Sequence, residues 1–69
     1  MKQTFKVELS KEEKFYFIRS IDHSNCFTQG KTKQEAIANI KEVLHLILDI
    51  PEDQIELEIL HKVKESATV

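Results

Sequence analysis

Phe5, Val7 and Leu9 alternate with Lys6 and Glu8, the period-two pattern of a strand that buries one face. A first strand is expected at about 4–9. Residues 10–14 are polar and short, and 15–21 (Phe-Tyr-Phe-Ile-Arg-Ser-Ile) is the aromatic and β-branched mixture that strands favour. The two segments read as a hairpin. Alternation puts Phe15, Phe17 and Ile21 on one face of the second strand and Tyr16 and Ile18 on the other, so both faces call for a cover. Residues 22–25 (Asp-His-Ser-Asn) read as a loop, because Asp, Ser and Asn side chains bond to nearby backbone. A short third strand follows at 26–29.

The segment 33–49 contains neither Gly nor Pro. With about 100° per residue, Ile37, Ile40, Leu44, Ile47 and Leu48 share one stripe, while Lys41, Glu42, His45 and Asp49 fall toward solvent. One helix is expected there, packed on the sheet. Its start is marked by Thr32 and, three residues later, Glu35, the spacing of a capping box. In such a box the Thr32 hydroxyl accepts from the Glu35 amide and the Glu35 carboxylate reaches back to the Thr32 amide. Gly30, the chain's single glycine, precedes the box at the reversal, where a positive φ is expected. Pro51 ends the helix by restricting the residue before it.

Ile55, Leu57 and Ile59 alternate with Glu56 and Glu58, giving a fourth strand at about 55–60. Residues 62–69 read as a polar tail, with Val63 able to extend the strand. The order β-β-β-α-β makes an α+β fold: a two-layer sandwich of a three-stranded antiparallel meander, a fourth strand and one helix on one sheet face. All of 1–69 is read as a single domain. The far face, carrying Tyr16, Ile18 and Phe27, is then left without a second layer, which argues for self-association or a partner. Edge strands offer a second route to pairing. Leu46 projects nearly opposite Ile37 and, with Val43 and Ile50 on its flank, forms a second apolar strip. It is either an interface or an ordinary exposed leucine, which needs no explanation.

A chain of 69 residues builds a modest core, so oligomerisation is a natural source of added stability. The 12 acidic and 10 basic side chains leave a net charge of −2, which disfavours nonspecific nucleic-acid binding and points to a basic partner. One cysteine excludes an internal disulfide. The sequence shows neither a membrane-length apolar run nor a signal-like start, so a cytoplasmic setting is expected, with no membrane contact.

The span from Phe15 to about Leu48 resembles the HicB-like antitoxin family, which shows an aromatic strand, a Thr/Ser-Gln-Gly-Asp-Thr turn and a helix opening on Glu-Glu-Ala and continuing through Asn. Cys26, Thr28, Gln29, Gly30, Thr32, Glu35, Ala36, Asn39 and Glu42 carry the resemblance. Two places depart from it: residues 22–25 replace a Pro-rich loop that has glycine before the cysteine, and Lys31 stands where an acid is usual. The resemblance implies a truncated RNase H-like fold without its nuclease centre, assembled as a dimer or larger oligomer such as a tetramer. It also implies masking of a small basic toxin ribonuclease of the HicA type. Many members add a DNA-binding domain, and too little sequence follows the fourth strand here to build one. The alternative is a solitary homo-oligomeric structural or regulatory protein of the same fold, with no toxin partner.

Glu52, Asp53, Glu56 and Glu58 gather near one end of the sheet. They suit either a surface that meets a positively charged partner or the solvated face of an edge strand. His23 and Cys26, with Asp22 adjacent, raise a metal site or a Cys-His nucleophile; the competing reading makes Cys26 a small buried hydrophobe. With no convergent carboxylate cluster, neither catalytic residues, nor a cofactor, nor a metal are expected. The expected contact residues are Tyr16, Ile18, Phe27 and Leu46, and the structural determinants are Gly30, Thr32 and Glu35.

Overall fold

The computed structural model describes residues 2–61; the expected tail at 62–69, with Val63, lies outside them. Three antiparallel strands, β1 (Gln3–Lys11), β2 (Tyr16–Ser20) and β3 (Phe27–Gly30), lead into helix α1 (Lys33–Leu48), a 3-10 turn (Glu52–Gln54) and β4 (Ile55–His61). The sheet order is β3-β2-β1-β4, with β4 parallel to β1. This is the expected α+β architecture. A crossover through α1 is what a parallel neighbour requires, since a hairpin cannot return the chain in the same direction.

Register decides which face each residue takes. Leu9 lies opposite Ile18, and Ile18 opposite Thr28, so Ile18 belongs with Phe5, Val7 and Leu9 beneath the helix. Those residues, with Cys26, Ala36, Ile40, Leu44 and Ile55, form the buried core, and Tyr16 packs half-buried against it. The expectation that Tyr16 and Ile18 lie on the uncovered face is therefore corrected. Alternation sorts the residues of the second strand into two faces but does not say which face the helix covers; the pairing of β2 with β1 does. Phe15 is not in β2. It closes the hairpin, with the Glu12 amide donating to its carbonyl at 2.8 Å and the Ser10 hydroxyl donating to the Glu12 carboxylate at 2.7 Å.

The helix start is built from three contacts. The Glu35 amide donates to the Thr32 hydroxyl at 3.0 Å, so Thr32 is the N-cap. The Glu35 carboxylate accepts from the Lys31 amide at 2.6 Å, one residue earlier than the reciprocal box predicts. Asn39 then ties the helix to the sheet, its amide donating to the Gln29 carbonyl at 2.9 Å. Gly30 does not have a positive φ. Its role is space: a Cβ there would sit 2.5 Å from the Ala36 nitrogen and 2.9 Å from both the Ala36 Cα and the Glu35 carbonyl carbon.

α1 ends at Leu48, one residue before the expected limit, with Asp49 in the left-handed region (φ 60°, ψ 45°) as its C-cap. His45 Nδ1 lies 2.7 Å from the Ile50 carbonyl; as that oxygen only accepts, the ring nitrogen donates and holds the chain leaving the helix. Ala36, Ile40 and Leu44 are the buried positions of the stripe. Ile47 shares their side and is nonetheless 47% exposed. Val43 and Ile50 pack against the core, leaving Leu46, at 68%, as the exposed member of the expected second strip. Among the described residues no helix is long and apolar enough to cross a membrane.

Candidate partner-binding surface

The uncovered face of the sheet is organised in rows by register. Phe27 lies opposite Arg19, Arg19 opposite Glu8, and Glu8 opposite Leu60, so one row crosses all four strands. In its centre the Arg19 guanidinium grips one Glu8 carboxylate oxygen, with Nε at 3.0 Å and Nη2 at 2.9 Å. The pair is part-exposed, and such pairs contribute at most about 1 kcal/mol. Its greater effect is on surface character. It separates the apolar spots of this face, Phe27 on the β3 edge and Leu60 on the β4 edge, in place of the expected apolar face of Tyr16, Ile18 and Phe27. Phe17 comes within 6.2 Å of Phe27, ring centre to ring centre, extending the β3 spot. Phe27 is 55% exposed.

The acidic residues collect on the opposite edge. Glu52 and Asp53 are exposed in the 3-10 turn, and Glu56 and Glu58 are exposed along β4, pointing to the uncovered face by alternation. Lys2 approaches Glu56 at 3.7 Å and the Thr4 hydroxyl donates to it at 3.5 Å, both at the weak limit of such contacts. On the other side of β4, Ile37 and Lys41 of α1 and Ile55, Leu57 and Ile59 of β4 border a groove of about 480 Å³. Leu57 and Ile59 are half-buried. β3 and β4 are the sheet's two edges, and each carries one of the surface features, aromatic on β3 and acidic on β4.

Of the four expected contact residues, Phe27 and Leu46 are on the surface, Tyr16 is half-buried and Ile18 is fully buried. Phe27 is on the uncovered sheet face and Leu46 on the outer side of the helix, so the two do not share one patch. The residues that sequence reasoning missed are Phe17, Arg19 and Glu8. Opposite charges at Glu8 and Arg19 on consecutive strands were the available signal, and only the hairpin register turns that signal into a contact. Gly30, Thr32 and Glu35 stand together at the β3–α1 junction.

Cys26 is fully buried, and burial pushes its thiol up from the usual range, which suppresses the reactive thiolate. Its amide donates to the His23 carbonyl at 2.9 Å, while the His23 ring packs 5.8 Å from that of Phe5. Among the described residues no group of three or more His, Cys, Asp or Glu side chains is arranged to hold a metal ion.

No family model matches the chain, and no solved structure matches it. A UPF0150 protein of Thermoplasma acidophilum is 35% identical over 66 residues, covering 83% of this chain and 96% of that relative.

Proposed function

The chain belongs to the UPF0150 family, and we propose that it is a HicB-like binding module, one domain over 1–69, that masks a small basic toxin ribonuclease. The observation that carries this reading is the acidic β4 edge, where Glu52, Asp53, Glu56 and Glu58 stand exposed on one border of the sheet. The resemblance at Cys26, Gly30, Thr32, Glu35 and Asn39 supports it. A ribonuclease needs a positive surface to hold the phosphates of its substrate, and an acidic edge of this kind steers toward and covers such a surface. Steering falls with ionic strength, so the complex forms best at low salt. In this reading the chain carries no catalytic step of its own, binds no DNA directly and acts in the cytoplasm.

A second reading rests on the two sheet edges and the exposed Phe27, Leu46 and Ile47: a homo-oligomer, dimer or tetramer, with a structural or regulatory role and no toxin. Tagged protein recovered from its native cells, as wild type and as the double variant Glu56→Lys/Glu58→Lys, distinguishes the two. The masking reading predicts a stoichiometric small basic protein with the wild type, released as salt rises and absent from the variant. Recovery of the chain alone, with a multimeric mass by light scattering, overturns masking in favour of the second reading.

A further inference from the structure

At the end of the sheet where β1, β3 and β4 finish and α1 begins, a hollow of about 250 Å³ is lined by Leu9, Lys11, Tyr16, Lys33 and His61. Four elements supply these residues. Lys11 closes β1 and pairs across to Tyr16, the first residue of β2; His61 closes β4 opposite Leu9; Lys33 opens α1. The carboxyl ends of parallel strands are where open sheets leave crevices for ligands, and β1 and β4 are the parallel pair here.

The lining is unusual for this chain. In a molecule with a net charge of −2, the hollow gathers two lysines and a histidine with no carboxylate among its lining residues. Among the described residues, neither lysine nor His61 is in an ion pair, the two that form being Lys2–Glu56 and Arg19–Glu8. Lys11 and Lys33 thus bring two positive charges to one hollow, and an anion seated there meets both. Tyr16 adds a phenolic hydroxyl able to donate, and Leu9 gives an apolar wall. The amides of Lys31 and Glu35 beside the hollow's helix already have side-chain acceptors.

We propose that this hollow is a binding site for a phosphate monoester group. A monoester carries close to two negative charges near neutral pH and three acceptor oxygens, a match for two ammonium groups and a hydroxyl. A diester brings a single charge, so the site favours a terminal phosphate over one within a nucleic-acid backbone.

The test is a titration of the isotopically labelled chain with inorganic phosphate, followed by NMR and repeated with dimethyl phosphate and with sodium chloride at matched ionic strength. Inorganic phosphate is expected to move the resonances of Lys11, Tyr16, Lys33 and His61 saturably, with dimethyl phosphate at least about fivefold weaker and chloride without a saturable effect. The double variant Lys11→Gln/Lys33→Gln, both at exposed positions, should keep its melting temperature and bind phosphate at least about tenfold more weakly. Non-saturating shifts, equal shifts with chloride, equal affinity for the diester, or unchanged phosphate affinity in the folded variant would each overturn the proposal.

Discussion

Replacing Gly30 by alanine tests how sheet and helix are joined. The added Cβ would lie 2.5 Å from the Ala36 nitrogen, with two more backbone atoms at 2.9 Å, against about 3.5 Å for an unstrained contact. Every one of these atoms is main chain, so no side-chain rotation relieves the overlap and the start of α1 has to retreat by roughly 1 Å. Only Lys31 and Thr32 separate β3 from α1. The retreat therefore pulls on the Thr32–Glu35 cap and on the bond from Asn39 to the Gln29 carbonyl. Overpacking of this kind costs about 1–3 kcal/mol, and a weakened cap adds up to about 1 kcal/mol. Alanine's smaller unfolded-state entropy returns about 0.4–1 kcal/mol. The net expectation is a loss of about 2 kcal/mol, and in a domain of this size the melting temperature falls by about 10 °C. Urea unfolding at fixed protein concentration, with an unchanged m-value, measures it. Because Gly30 has no positive φ, conformational preference alone predicts that alanine is neutral or stabilising. A variant as stable as the wild type would refute the close-approach account.

Thr32→Ala removes the cap hydroxyl and should lower stability by about 1 kcal/mol in the same assay; an unchanged melt would show the cap to be dispensable. Asp49→Gly relieves a left-handed φ at the helix C-cap and should raise stability by about 0.5–1 kcal/mol, whereas a fall would assign the carboxylate a stabilising role of its own. The Ser20 hydroxyl is buried with no hydrogen-bond partner, so Ser20→Ala should be neutral or gain up to about 1 kcal/mol; a loss of that size would reveal a partner for it. Cys26 should react with a thiol reagent at least about 100-fold more slowly in the folded protein than in urea, and comparable rates would contradict its burial.

Local signals in the sequence carried most of the elements, and the failures share one cause. The alternation at Phe5, Val7 and Leu9, the Thr32 cap and the apolar stripe through Ile40 and Leu44 each depend on residues a few positions apart, and each was legible. What required the whole sheet was not. Ile18, and not Phe17, is expected on the uncovered face and is instead fully buried, because a strand apolar on both sides does not say which side the helix covers. Gly30 was legible as a necessary glycine, but its reason is the first turn of α1 pressing on it rather than its own φ. Ile47 fits the helical stripe and is nonetheless exposed; the helical period gives the side a residue takes and not whether anything covers it. The hollow at Lys11, Tyr16, Lys33 and His61 left no trace in the sequence, since its members come from four separate elements. The acidic residues around β4 were legible as a group, and the structure places Glu56 and Glu58 on the face opposite the helix.

The claim that this chain masks a ribonuclease is tested most directly by RNA cleavage. The small basic protein recovered with the chain would be separated at high salt and assayed on single-stranded RNA at low salt, alone and with the chain returned in stoichiometric amount. The account predicts cleavage by the partner alone, its loss when the wild-type chain is added, and its persistence when Glu56→Lys/Glu58→Lys is added instead. Cleavage that continues at full rate beside the wild-type chain, or a partner that cuts no RNA, would contradict it.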